Sequence, residues 1–483
     1  MPWWVQALDL GTLGLAIVGL SLLIWKGPRF PLGPWVVSLR SPWRLLAWAA
    51  GVGILRHILF LRPALPYRLW APLIAFVRLA VRWRPPTPRD VWTRVFGLRR
   101  SPALRAVITP FITSRGAVLL VGALAVASIG YPPDRERPRL ADNAFLNLMA
   151  KWDAEWYLTI AREGYQWNGN LRDEARLAFF PAYPMASRAA GWFVGSTPLG
   201  AALVVFGAFL GALCYLFRLA REDIGASEAE AAVLFLAFSP FAVFYSAIYT
   251  ESLFLLGAVG AFYHFRRAEW IRASAWGIVV GLTRPNGFLL SVALALAALE
   301  LVLRARRDGR FHALDWSRVR TAVLVATMPA IGTGIYSIFV YLLTGEPFMW
   351  LRLHSHWGRG NAGIGDLVSV HYGWIRQTGL VGYALMSPID FINSCAGILA
   401  LAAVWPVTRR LGPGYGGWIA VNVLAALLSG TTLSIARLTG TLFPLFLWLG
   451  AVVPARRRAS WIAAFATAQG LMAVLFFTWR RFY

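Results

Sequence analysis

Apolar runs of about 18 residues or more recur along this chain, and they limit what it can become. Such a run spans a bilayer as a helix, because lipid tolerates only a backbone that satisfies its own hydrogen bonds. Span positions are predicted near 8–25, 43–61, 110–131, 199–217, 230–246, 250–265, 273–283, 287–303, 321–343, 388–406, 416–432, 438–454 and 460–478. The expected class is all-α, a polytopic transmembrane protein of about 11–13 spans. Composition agrees, with 58% hydrophobic residues, 24 Trp and 30 Phe. The formal charge of +25 does not indicate nucleic acid. The arginines cluster at span ends, where the positive-inside rule and anionic lipid account for them. Lys26 and Lys151 are the only lysines, a bias that suits a GC-rich bacterial genome.

Cys214 and Cys395 lie in or beside apolar segments, with neither metal spacing nor a disulfide framework. Met1-Pro2-Trp3-Trp4 lacks a basic n-region and a small-residue cleavage site, and reads as an anchor rather than a removed leader.

Arginine placement assigns sides. Arg94, Arg99, Arg100 and Arg105 put 83–109 in the cytoplasm, and Arg115 is expected to snorkel near the end of the next span. Residues 132–198 then lie outside as one large loop with short interfacial helices. Further outside segments fall near Ile248–Glu251, at Thr283-Arg284-Pro285-Asn286-Gly287, over 344–387 and around Arg437. Two spans in the first hundred residues would leave Lys26, Arg29 and Arg40 outside; three would bring them inside. We read 1–104 as an anchor region and 105–483 as the functional membrane domain.

The outer side collects the chain's unusual polar residues. Asp153 and Glu155 sit among tryptophans in Lys151-Trp152-Asp153-Ala154-Glu155-Trp156-Tyr157. Tyr249 and Glu251 lie at one tight turn, Arg284 and Asn286 at another. His354, His356, Trp357 and Arg359 follow the span ending at Leu343, and Arg437 interrupts an apolar stretch. Ionisable groups near a bilayer are costly unless paired or lining a wet cavity. Carboxylates and guanidiniums on one side suit an anionic headgroup bound beside a base. Plainer readings exist: Asp153 paired with Lys151 or Arg162, Glu251 capping a helix, and Pro285-Asn286-Gly287 as a simple turn. His354 and His356 are two apart, which does not put both on one helical face.

Several motifs in order resemble the PIG-V type mannosyltransferases, membrane enzymes of the GT-C fold class. They are Trp152-Asp153-Ala154-Glu155; Gly164-Tyr165; Ala178-Phe179-Phe180-Pro181-Ala182-Tyr183-Pro184; Tyr249-Thr250-Glu251-Ser252; Thr283-Arg284-Pro285-Asn286-Gly287; Trp357-Gly358-Arg359; and Arg437 with Phe443-Pro444. Pro285 stands where the family's turn carries Ser. The resemblance covers roughly 105–478. It implies a polyprenyl-phosphate-linked mannose donor, with Asp153 at the position of the family's reactive acidic residue. An acceptor hydroxyl on a glycan, glycolipid or protein would attack with inversion, and Asp153 would be the general base. Arg284, Arg359 and Arg437 would hold the leaving phosphate. Glu155, Tyr249, Glu251, Asn286, His356 and Trp357 would bind sugar or orient Asp153. No cofactor or metal is expected. The alternative is a transporter or lipid flippase, which should show repeats and helices broken at midplane; no internal repeat is visible in the sequence. A non-catalytic scaffold would leave the acidic loop incidental.

Overall fold

A computed structural model describes residues 101–133, 139–169, 175–353 and 363–480, together with a hairpin and a few helical positions in the first hundred residues. The chain divides into two compact units, Met1–Phe96 and Gly97–Tyr483. In the first unit β1 (Arg29–Leu32) pairs antiparallel with β2 (Trp35–Ser38), Phe30 opposite Val37. Most of the spans predicted at 8–25 and 43–61 lies outside the described residues.

The second unit is helical in its regular structure. In chain order it contains α1 (Pro102–Ser128), α2 (Ala144–Met149), α3 (Ala154–Glu163), α4 (Ala182–Val194) and α5 (Thr197–Asp223). There follow α6 (Ala226–Ala237), α7 (Glu251–Arg266), α8 (Trp270–Thr283), α9 (Leu290–Arg307), α10 (Trp316–Ala326) and α11 (Met328–Thr344). The chain ends with α12 (Gly363–Met386), α13 (Pro388–Leu411), α14 (Pro413–Leu428), α15 (Ile435–Thr439), α16 (Phe443–Val452) and α17 (Ala455–Phe477).

A helix answers every span predicted from residue 110 onward, but not every helix is a span. Among the described residues six helices are long and apolar enough to cross a membrane, or seven if one bent pair counts as a span. Two of the predicted spans lie mostly outside the described residues, and for the eleven predicted from residue 110 onward the lower count has a geometric cause. A 16-residue helix such as α7 or α14 rises only ~24 Å, short of the ~30 Å hydrocarbon layer. Apolar content marked these segments as membrane-embedded without fixing how long each helix would run.

The span predicted over 230–246 shows how such a segment breaks. Helix α6 stops at Ala237, and a 3₁₀ turn, Pro240–Ser246, leaves it at 75°. Pro240 has no N–H to continue the helix onto Leu236 O, which accepts from the Ser239 amide instead. Arg115 and Gln469 serve the carbonyls around the break. Arg115 Nη2 donates to Ala237 O at 2.7 Å, and Nη1 donates to Ala242 O at 2.5 Å and to Ser246 Oγ at 3.0 Å. Gln469 Nε2 donates to Ala237 O and Ser239 O, each at 3.0 Å. Arg115 is therefore buried, 3% exposed, instead of snorkelling to an interface as expected. The break delivers Tyr249 and Glu251 to the site described below.

The 132–198 segment forms the expected cluster of short helices, α2 to α4 with a 3₁₀ turn at Ala175–Ala178. The 344–387 segment is more regular than expected, because it contains the 24-residue α12, kinked at Gly379 where φ is 71°. Close helix contacts rest on small residues. On α8 a Cβ at Gly281 would overlap the Pro329 carbonyl oxygen of α11, and one at Gly332 of α11 would overlap Ile278 O of α8. Phe254 stacks on Trp418 at 5.9 Å and Phe262 on Tyr415 at 5.0 Å, fixing α7 against α14.

Candidate active site

Asp153 stands immediately before α3 and does not cap it with its side chain. The preceding residue, Trp152, has φ of 53°, a conformation costly for a bulky side chain. Two contacts hold it there. Its Nε1 donates to Phe476 O at 3.1 Å, and its ring meets Trp479 at 4.9 Å. The Asp153 amide donates to Tyr249 Oη at 3.0 Å, tying this loop to the turn before α7.

The Asp153 carboxylate is 24% exposed and faces Arg437, whose Nη1 is 2.9 Å from Oδ2. Neither suggested local partner reaches it: Lys151 Nζ donates to Tyr131 Oη at 2.9 Å, and Arg162 Nη2 donates to Leu140 O at 2.9 Å. Among the described residues no partner claims Asp153 Oδ1.

Glu251 opens α7 and is 1% exposed. A single oxygen, Oε1, accepts from Arg437 Nε at 2.5 Å and from Arg284 Nη1 at 2.6 Å. Its Oε2 is buried without a hydrogen-bond partner. Arg437 lies over the rings of Phe244 at 4.7 Å and Tyr249 at 4.6 Å, and Arg284 over Phe254 at 5.6 Å. These faces add cation–π attraction and hold each guanidinium in one plane. Two carboxylates and two guanidiniums thus form a chain, Asp153–Arg437–Glu251–Arg284, whose formal charges cancel.

The chain borders a cavity of about 1080 Å³. Asp153, Arg284, Asn286, Asn422 and Arg437 form its polar end; Phe288, Ile338, Phe348 and Leu351 belong to its apolar walls. Asn286 Nδ2 donates to Asn422 Oδ1 at 2.8 Å, and Asn422 Nδ2 donates to Trp418 O at 2.8 Å. Tyr157, one helical turn beyond Asp153, also lines the cavity, with its Oη 3.4 Å from Thr250 Oγ1. Burial, then the Glu251 carboxylate, push the Tyr157 hydroxyl well above the usual phenol range, so it stays neutral.

The residues predicted from sequence fall into distinct positions. Asp153, Arg284, Asn286 and Arg437 reach the cavity. Tyr249 and Glu251 are buried behind it, where they orient groups that do face it. Glu155 is exposed on the first turn of α3 and is not a cavity wall. His356, Trp357 and Arg359 lie outside the described residues. Sequence reasoning missed Tyr157 and Asn422. Asn422 had a visible signal, an amide inside an otherwise apolar segment. Among the described residues no three His, Cys, Asp or Glu side chains gather to hold a metal ion.

Residues 132–305 match a family model described as mannosyltransferase (PIG-V). The chain is 28% identical over 240 residues to GPI alpha-1,6-mannosyltransferase 2 of Homo sapiens, covering 44% of this chain and 45% of that protein. The Rattus norvegicus protein of the same name is 31% identical over 179 residues, covering 33% and 35%. The match thus spans less than half the length of either relative. Among solved structures, the oligosaccharyltransferase of Archaeoglobus fulgidus with zinc and sulfate superposes with a TM-score of 0.38 at 13% identity, covering 75% of this chain and 53% of that one. Its apo form gives 0.37 at 12% identity, covering 76% and 56%. Overlaps this loose carry no argument about chemistry. The similarity that does carry weight is in the sequence: residues 132–305, which include Asp153, Glu251 and Arg284, are similar to the PIG-V mannosyltransferases.

Proposed function

We propose that this protein is an integral membrane glycosyltransferase of the GT-C type. It moves mannose, or a related sugar, from a polyprenyl-phosphate donor to an acceptor hydroxyl, inverting the anomeric centre. The reaction takes place on the extracytoplasmic side, in a bacterial setting the inner-membrane face toward the periplasm or exterior. The acceptor is a glycan, glycolipid or protein. One observation carries this reading: a carboxylate with an open oxygen stands beside a guanidinium on the wall of a cavity of about 1080 Å³ that also has apolar walls.

The acceptor oxygen attacks the anomeric carbon while the bond from that carbon to the phosphate oxygen breaks. Asp153 takes the hydroxyl proton, and the polyprenyl phosphate leaves with the bonding pair. A phosphate leaving group needs little protonation, so a single base suffices. Guanidiniums match phosphate oxygens in pairs and are worth most where water is excluded. Arg437 and Arg284 are the cations available at the polar end, and Asn286 with Asn422 offers amide groups to sugar hydroxyls. Glu251 has no access to the cavity, so its role is to fix both arginines rather than to touch sugar.

Purified protein incubated with a panel of polyprenyl-phosphate sugars tests the reading, with donor consumption and glycosylated product followed by mass spectrometry. Asp153→Asn should lose transfer by roughly 10²–10⁴-fold with abundance unchanged, the range of a general base. Transfer at the parental rate in that variant removes Asp153 from the role of base. Movement of lipid across sealed vesicles with no covalent product would favour the flippase reading instead.

A further inference from the structure

Arg437 sits just after a strained turn. Ser434 has φ of 66°, in the left-handed region that a non-glycine residue occupies only when its surroundings hold it there. The holding groups come from one helix. On the first turns of α13, Asp390 Oδ1 accepts from the hydroxyl of Thr432. One turn further, Asn393 Oδ1 accepts from the Ala436 amide at 2.9 Å. These contacts grip the chain on both sides of Ser434, and the second lies next to Arg437. Asn393 is itself fixed, because its Nδ2 donates to Ile389 O at 3.1 Å.

Asp390 is anchored from the other side. Its Oδ2 accepts from Tyr383 Oη at 2.5 Å and is 2.8 Å from His371 Nε2, both on α12. The other His371 nitrogen, Nδ1, is 2.7 Å from Leu367 O. Both ring nitrogens are engaged, which fixes the imidazole between Leu367 and Asp390. Asp390 is thus a fixed post with one oxygen reserved for Thr432.

We infer that Asp390 and Asn393, braced by His371 and Tyr383, are positioning residues that set Arg437 between Asp153 and Glu251. They do not touch the cavity's polar end; they act through the 432–436 turn. Without them the turn relaxes from the left-handed geometry at Ser434, and the guanidinium leaves the plane defined by Phe244 and Tyr249. The kinetic consequence rests on the glycosyltransferase reading; the structural one does not.

The test uses the full chain in detergent with Thr432→Val, Thr432→Ser, Asn393→Ala, Asp390→Ala and Arg437→Lys. Hydrogen exchange read by mass spectrometry should rise about tenfold or more in the 432–439 segment of Thr432→Val and Asn393→Ala, the effect of one lost hydrogen bond, while Thr432→Ser matches the parent. In the transfer assay Thr432→Val should lower kcat about 10²-fold, the scale of a misplaced catalytic group, and Thr432→Ser should restore it. Asp390→Ala should add little once Arg437 is already Lys, since both changes act on one group. Unchanged exchange in the first two variants, or fully additive losses with Arg437→Lys, overturns the inference. If the parent transfers no sugar from any polyprenyl phosphate, the glycosyltransferase reading fails, and the exchange result alone decides this one.

Discussion

Glu251→Gln is the sharpest probe of the charge chain. The parent site balances Asp153 and Glu251 against Arg284 and Arg437, with Glu251 only 1% exposed. Removing its charge leaves two guanidiniums beside one carboxylate. Breaking a buried ion pair by deleting one partner costs about 3–5 kcal/mol, most of it from the charge left uncompensated. The low end applies here, since Gln keeps an acceptor oxygen and Arg284 faces the cavity. A loss of about 3 kcal/mol is roughly a 10²-fold shift in the folding equilibrium. Thermal unfolding in detergent should show this as a clear fall in midpoint. Arg437 keeps Asp153, so adding Arg284→Gln removes the cation left without a carboxylate and should recover part of the loss. The coupling expected is about 0.5–3 kcal/mol, against the ~0.3–0.5 kcal/mol scatter of independent sites. Strict additivity, or a Glu251→Gln variant as stable as the parent, would refute the idea that Glu251 holds the two arginines through charge.

Other outcomes follow from the same geometry. Glu155→Gln, on the exposed turn of α3, should leave stability within about 0.5 kcal/mol and transfer close to parental; a large loss of transfer would return Glu155 to the site. Arg115→Leu strips the Arg115 donor from Ala242 O and leaves Ala237 O with Gln469 alone, and should destabilise by about 2–3 kcal/mol in a melt, whereas a neutral result would mean that water replaces the guanidinium. Glu269, between α7 and α8, is held down to about 2 from an ordinary 4.5 by Arg267 and then His264. Its lowered value makes its stabilisation present above about 4.5 and lost as pH falls toward 2. An acid melt of Glu269→Gln should therefore be flatter than the parent's across that window, and parallel curves would show that the cluster contributes nothing.

The relation between prediction and structure is clearest at particular residues. An ionisable group in an apolar chain is expensive, so Asp153, Glu251, Arg284 and Arg437 are conspicuous in the sequence itself. Their division of labour did not. Glu155 and Asp153 are two residues apart in the same acidic motif, and only the start of α3 turns one toward the cavity and leaves the other exposed. Helix α12 was hidden in what read as a long loop, and Arg115 read as an interfacial anchor because its carbonyl partners lie 122 and 127 positions away.

Sequence by itself determined the solvent this chain belongs in, its helical character, the family that part of it resembles and the short roster of polar side chains that need an explanation. Those properties depend on local composition and order, which lipid and backbone hydrogen bonding read directly. Tertiary structure alone decided which carboxylate reaches open space, which one is locked between cations, and how a broken helix and a strained turn aim them. The Asp153–Arg437 pair joins positions 284 apart, and a contact of that kind depends on how helices pack rather than on any pattern along the chain.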